Sequence, residues 1–228
     1  MQSTNFDEFS QDYKSLLDRS VACSGESSEY FAEYKASYVA RRLGQGFQGK
    51  ILDYGCGIGL LSGYLSKHLP QAIIHGYDVS EQSIGEIAPG LREQGLFSSS
   101  LERMDSDYHA VVISNVMHHI PPAERQSTIC GLAKRTRVAG KVFIFEHNPW
   151  NPLTRWVVKH CPFDKDAVLL RPKETAAYLR SANVPVSRRD YVVFFPRVLG
   201  KLRWLEPLLA WLPFGTQYAL VAERTNHG

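Results

Sequence analysis

Two sets of side chains in this 228-residue sequence have the types and spacing to do chemistry. The first is Asp53-Tyr54-Gly55-Cys56-Gly57-Ile58-Gly59, an acid followed by three glycines at alternate positions, with Asp78 a further 19 residues on. Glycine lets the backbone bend sharply and lets a ligand approach where a side chain would clash. Leu60-Leu61-Ser62-Gly63-Tyr64-Leu65 then begins a helical pattern, whose first N–H groups lack partners and can face a ligand. The second set is histidine: His118-His119 and His147. An imidazole is the side chain most naturally poised to move a proton near neutral pH.

The glycine spacing narrows the ligand. A dinucleotide turn reads Gly-x-Gly-x-x-Gly and seats a pyrophosphate on the helix N-terminus. Here the pattern is Gly-x-Gly-x-Gly, and the Asp53 carboxylate opposes a pyrophosphate while suiting an ammonium group. Asp78 closes a second apolar run, Ala72 to Tyr77, at the distance that suits a carboxylate accepting both ribose hydroxyls. A ligand with an ammonium group, a free ribose and no pyrophosphate points to S-adenosylmethionine. Transfer of its methyl group is an in-line displacement, so a protein mainly positions the acceptor and removes its proton.

These residues need a scaffold, and the periodicity supplies one. Strands are predicted at 50–54, 72–77, 95–99, 109–114 and 140–147, with helices at 58–68, 80–88 and 122–137 between them. Such alternation implies a parallel sheet covered on both faces, with ligands at the carboxyl ends of the strands. Beyond Asn148, helices are predicted at 153–160 and 172–182 and strands at 188–195 and 217–224. One amphipathic helix is predicted across 197–212. Ahead of the sheet, Phe6, Phe9, Tyr13, Leu16 and Leu17 recur at helical spacing, and a second helix follows Ser27-Ser28 up to Gly44.

At these positions the sequence resembles the class I S-adenosylmethionine-dependent methyltransferases. Asp53 to Gly59 resembles their first motif and Asp78-Val79-Ser80 their acidic ribose motif. Ala110 to Ile120 is similar to their fourth strand, and Val138 to Glu146 to the turn and fifth strand. The resemblance implies a Rossmann-like α/β sheet, mostly parallel with an antiparallel last strand and helices on both faces. It implies a helical lid over 1–45 and a methyltransferase domain over 46–228 with an inserted amphipathic segment at 196–214. It also implies cofactor contacts from Asp53, Gly55, Cys56, Gly57, Asp78 and Val79. Ser98 and Ser99 stand at the adenine edge, Ser114, Asn115 and Val116 at the methionine part, and Tyr13 and Lys35 reach in from the lid. The stretch after the third strand, Phe97 to Glu102, departs from the family by lacking an acid directly after the strand, so a serine hydroxyl or backbone group must take the adenine.

For catalysis, His147 lies in the polar cluster Glu146-His147-Asn148-Pro149-Trp150, just past the fifth strand and beside the expected methyl group. It is the candidate base or acceptor ligand, oriented by Glu146 or Asn148; a capped loop histidine is the competing reading. His119 is the second candidate, although in the resembling family a histidine there is frequent without being the base. Neither the histidines nor Cys161 follow a familiar metal-ligand spacing, so no metal is expected.

Composition bounds the remainder. Apolar residues make up 44% and charged residues 21%, ordinary for a globular chain. The N-terminal stretch lacks a signal-peptide pattern, and a cytoplasmic location is expected. The formal net charge of +3 is unevenly spread: residues 1–149 carry 14 Lys/Arg against 17 Asp/Glu, and 150–228 carry 12 against 6. The basic second part suits an anionic acceptor or surface, or is a solvated face. There is no separate nucleic-acid recognition domain, so a small-molecule acceptor is expected, with O-methylation favoured and a monomer or homodimer as the assembly. The aromatic, aliphatic and basic segment 196–214 is read as a pocket wall, a dimer contact or a membrane-surface contact. Two rival functions stand beside methyl transfer: a nicotinamide-dependent oxidoreductase, and a non-catalytic S-adenosylmethionine-binding protein.

Overall fold

The computed structural model describes residues 25–161, 164 and 167–226. The expected helix over residues 5–20, with Tyr13, lies outside the described residues. Seven strands form one sheet in the order β3-β2-β1-β4-β5-β7-β6. They are β1 (Lys50–Tyr54), β2 (Ile73–Tyr77), β3 (Phe97–Ser98), β4 (Tyr108–Ser114), β5 (Thr136–His147), β6 (Val186–Val192) and β7 (Gln217–Glu223). The first five run parallel, and β7 pairs antiparallel with both β5 and β6. The central strands carry continuous apolar runs, Ala110-Val111-Val112-Ile113 and Val142-Phe143-Ile144-Phe145, because both faces of a parallel sheet are covered. Alternate residues feed two cores, one around Ile113, Ile144 and Tyr218, the other around Phe143, Phe145 and Val39 of the helix Ser28–Leu43. Truncating a buried phenylalanine such as Phe143 removes contacts worth about 3–5 kcal/mol.

The strand order puts a crossover between β1 and β4. From β1 the chain runs outward to β2 and β3, then returns to pair β4 on the opposite side of β1. The chain therefore leaves the carboxyl ends of β1 and β4 toward opposite sides, and the crevice at such a switch point is where a ligand sits in an open sheet of this kind.

Several boundaries differ from the periodicity. The helix expected at 80–88 is cut to Glu81–Gly85, since Pro89 disfavours a helical conformation at Ala88, and Pro89–Arg92 forms a separate turn. The segment expected as one helix across 197–212 is a 3-10 stretch, Arg197–Leu205, with a non-helical Leu199, followed by a single short helix, Glu206–Leu209. Gly200 and Pro207 interrupt it, and its large side chains point outward: Val198, Trp204, Leu208 and Trp211 are 66–89% exposed. The buried Glu206 holds the segment down, its Oε1 accepting from the amides of Phe194 and Phe195 at 3.1 and 3.2 Å.

One buried cation organises the far side of the site. Arg125, on the helix Pro122–Arg135, is almost wholly buried. Its Nε donates to the Ile120 carbonyl at 2.9 Å and its Nη2 to the Val168 carbonyl at 2.8 Å. The Val168 amide in turn donates to the His118 carbonyl at 2.9 Å. The stretch after Cys161 is thus tied to the histidine-bearing loop that follows β4.

Candidate functional site

The glycine turn at the end of β1 is built as its spacing requires. Gly55, Gly57 and Gly59 all have positive φ, the left-handed region that favours glycine. A Cβ on Gly55 would lie 2.2 Å from Val116 Cγ2, so the loops after β1 and β4 touch only because that side chain is absent. The amides of Gly55 and Cys56 both donate to the Tyr77 carbonyl, at 2.7 and 3.0 Å. Asp78 completes the turn: its Oδ2 accepts from the Gly57 amide at 2.7 Å and its Oδ1 from the Ser80 amide at 3.0 Å. A single carboxylate at the end of β2 therefore fixes the first loop and remains at the edge of the crevice.

Asp53 is buried at the end of β1, and its Oδ2 accepts from Ser62 Oγ at 2.7 Å. Burial raises its pKa from 3.8 to about 7, against the pull of the Ser62 hydrogen bond, with Asp78 adding to the rise. The folded chain therefore keeps a proton on Asp53 that the unfolded chain loses near pH 4, and stability falls as pH rises from about 4 to about 7, then levels off. The difference amounts to about 4 kcal/mol. Asp53→Asn is expected to flatten that decline, since an amide oxygen still accepts from Ser62. Urea midpoints of both proteins at pH 5 and pH 8 measure it, and an unchanged pH dependence would refute it.

The helix Ser28–Leu43 lies over the crevice and points Lys35 into it. Lys35 is buried, and its Nζ donates to Ser114 Oγ at 2.9 Å. Burial lowers its pKa to about 8, countered by the carboxylates of Glu146 and Asp53. Next to Ser114, Asn115 adopts a φ of 56° and its Oδ1 is buried without a hydrogen-bond partner. A buried acceptor left open is a polar group awaiting a donor. Lys35, Ser114, Asn115 and Val116 thus gather at the end of β4, opposite Gly55, Cys56 and Gly57. At the far edge, Ser98 is buried and its Oγ accepts from the Ser100 amide at 3.1 Å, while Ser99 is half-buried and Val79 is 66% exposed.

The histidines converge. His118 Nδ1 lies 2.6 Å from Glu146 Oε2, whose Oε1 accepts from the Met117 amide at 2.8 Å. On its other side, His118 Nε2 is 3.3 Å from Asp164 Oδ1, and His119 Nε2 is 3.4 Å from the same oxygen. The His147 ring stands 5.0 Å from that of His118. Burial alone would lower the His118 pKa, but the two carboxylates overcome it and raise it to about 9. His147 and His119 are each lowered to about 4 by burial and by His118 beside them. Burial would raise Asp164, yet the His118 hydrogen bond and the neighbouring imidazoles bring it down to about 2.

Two details depart from the sequence reading. Glu146 orients His118 rather than His147, because alternate residues of β5 face opposite sides of the sheet. Asn148 does not reach His147 either; its Nδ2 donates to the carbonyls of Pro213 and Gly215 at 3.0 and 2.8 Å and anchors the returning loop. Asp164 is the member that sequence reasoning missed, since it lies 17 residues beyond His147 and carries no local pattern.

His147 also faces a cleft of about 630 Å³, partly open to solvent. Tyr30 and Phe31 wall it on one side, Leu153 and Val157 on another, and Val193 to Pro196 on a third. Its polar groups are few: Glu26, Thr154, Thr216 and Gln217 besides His147. Tyr30 Oη and Gln217 Oε1 are buried without hydrogen-bond partners. Among the described residues that line it there is no lysine or arginine, although Arg203 pairs with Glu26 and stacks over the Tyr30 ring at 4.2 Å.

Residues 52–142 match a family model described as a methyltransferase domain. The trans-aconitate 2-methyltransferase of Mycobacterium ulcerans is 27% identical over 201 residues, covering 82% of this chain and 73% of that protein. Among solved structures, the magnesium protoporphyrin IX methyltransferase of Synechocystis PCC 6803, crystallised with bound S-adenosylhomocysteine (SAH), superposes with a TM-score of 0.67 at 16% identity, covering 98% and 97% of the two chains. The [4+2]-cyclase SpnF superposes with a TM-score of 0.69 at 16% identity over 98% of this chain and 96% of its own. Those two likenesses are of fold alone, and one of them to a cyclase shows why the fold by itself does not name a reaction. The motif-bearing turn and the crossover both fall within the matched stretch, and there the chain is similar to a methyltransferase domain.

Proposed function

We propose that the protein transfers the methyl group of S-adenosylmethionine to an oxygen of a small, largely apolar acceptor bound in the cleft beside His147. In this reading the cofactor lies across the carboxyl ends of β1 and β4, its ribose on Asp78 and its ammonium group facing Asp53. Its carboxylate meets Lys35 and its methionine part the Ser114–Val116 turn, with the open Oδ1 of Asn115 available to the ammonium. The helix Ser28–Leu43 serves as part of the lid expected over 1–45. His147 and His119 are the groups nearest the acceptor oxygen, with His147 the one that lines the cleft.

The observation that carries the acceptor class is the lining: aromatic and aliphatic walls, two open polar atoms on Tyr30 and Gln217, and no lysine or arginine among the described lining residues. Arg203 is already paired with Glu26 and stacked over the Tyr30 ring, so a tricarboxylate such as the trans-aconitate of the mycobacterial relatives' name would meet no uncommitted lysine or arginine among the described lining residues, and burying unpaired charge is costly. An amphiphile with one hydroxyl or carboxyl group fits. The chain's four tryptophans support the same reading. Trp150, Trp156, Trp204 and Trp211 are all 48–74% exposed, on the two segments that also supply Leu153, Val157 and Pro196 to the cleft. Arg155, Lys159, Arg197 and Lys201 lie among them in sequence. Interfacial aromatics with interspersed bases suit an anionic lipid surface from which such an acceptor is drawn.

SAH release from S-adenosylmethionine tests the acceptor class, measured against medium-chain hydroxy acids, phenols and tricarboxylates. Turnover is expected with the amphiphiles and not with the tricarboxylates; the reverse order would overturn the assignment. Sedimentation with acidic vesicles is expected to remove the protein from solution, and Trp204→Ala with Trp211→Ala to leave it there.

A further inference from the structure

We propose that His118, His147 and Asp164 form a binding site for one divalent transition-metal ion, placed where the cleft meets the end of β5. Each contributes one ligand atom, and all these atoms lie within 4.8 Å of one another. The three residues come from three separate segments: the loop after β4, the last residue of β5, and the stretch after the helix Pro152–His160. Nothing in the Rossmann-like sheet requires such a meeting.

The surroundings are those of a metal centre. A ligating histidine ordinarily donates its second ring N–H to a carboxylate, which fixes the tautomer and aims the other nitrogen at the ion. His118 does this: Glu146 Oε2 takes Nδ1 at 2.6 Å, leaving Nε2 turned toward Asp164. Glu146 is itself fixed by the Met117 amide, and it is fully buried. His119 Nε2, 3.4 Å from Asp164 Oδ1, supports the carboxylate ligand in the same way. Arg125 and Val168 hold the Asp164 segment against the His118 loop through the hydrogen bonds described above. Two imidazoles and one carboxylate suit zinc, iron(II), cobalt(II) or manganese(II) rather than calcium or magnesium, which take oxygen ligands.

Three protein ligands leave a coordination position open, the mark of a catalytic rather than a structural ion. Because His147 also lines the cleft, that position faces the acceptor, and here the inference rests on the proposed function. An acceptor hydroxyl on the ion gives up its proton to water more readily. The oxygen then forms the bond to the methyl carbon, the carbon–sulfur bond breaks with its electron pair returning to sulfur, and SAH and the methyl ether leave. A carboxylate acceptor needs no proton loss and yields the methyl ester.

Chelator-treated protein titrated with cobalt(II) tests the site by its visible d–d bands and by calorimetry, with SAH binding measured on the same samples as a check on the fold. One equivalent per chain is expected, with bands of a four- or five-coordinate site. Asp164→Asn and His147→Ala are each expected to weaken cobalt by at least about 10²-fold, since even residues behind the ligands contribute 10–100-fold, with SAH binding kept. The absence of stoichiometric uptake by the unaltered protein would overturn the proposal, as would uptake that both variants retain. If cobalt binds but no acceptor turns over, the site stands and the acceptor reading fails. Full turnover of an amphiphile in chelator leaves the acceptor reading standing and removes the ion from it.

Discussion

Replacing His147 with alanine is expected to slow methyl transfer by roughly 10²–10⁴-fold, the usual contribution of a group that prepares the attacking oxygen, while SAH affinity stays within about twofold of the original value. The split follows from position. His147 is the last residue of β5 and pairs with Gln217 of β7, so it belongs to the strand that walls the acceptor cleft. The cofactor turn lies on β1 and β2, and none of the hydrogen bonds that hold it involves His147. In free energy the loss amounts to about 3–5 kcal/mol of transition-state stabilisation. Single-turnover methyl transfer beside SAH calorimetry separates the two effects. A variant that methylates as fast as the original would remove His147 from the chemistry.

The second large effect is at Asp78. Its carboxylate accepts from the Gly57 and Ser80 amides, and in the proposed complex it also accepts from the ribose. Hydrogen bonds to an ionised group contribute about 1.5–3 kcal/mol each. Asp78→Ala removes the ribose bonds and loosens the glycine turn together, so the affinity for SAH is expected to fall by about 10²–10³-fold. Asp78→Asn keeps one amide-accepting oxygen and is expected to fall between. Equal affinities across the three proteins, measured by calorimetry, would show that the ribose is held elsewhere.

How much of this could be read from the sequence depends on how local the determinant is. The turn at 53–59 was legible because glycine at three positive-φ positions and a flanking acid are contiguous, and Asp78 follows one crossover unit later. Lys35 and the Ser114–Val116 turn could be placed only through the family resemblance, since each is an ordinary residue until the helix Ser28–Leu43 folds over β4. The histidine cluster was half legible. His118, His119 and His147 stood out by type, but their convergence with Asp164 depends on β4 lying beside β5 and on Arg125 drawing in a later segment, and neither leaves a spacing to detect. Adjacency in sequence pairs His147 with Glu146 or Asn148, but neighbours in a strand point to opposite faces and Glu146 meets His118 instead. The 197–212 segment misled in another way. Its apolar residues recur near helical intervals, yet Gly200 and Pro207 break the helix and the large apolar side chains face outward.

The bend after β1 and the carboxylate at the end of β2 are proposed to hold an adenosyl amino acid. Titration calorimetry of the unaltered protein and of Asp78→Ala with SAH tests it most directly. One site per chain is expected in the unaltered protein and at least a hundredfold weaker binding in the variant; no heat of association in the unaltered protein, or the same affinity in both, would overturn the assignment.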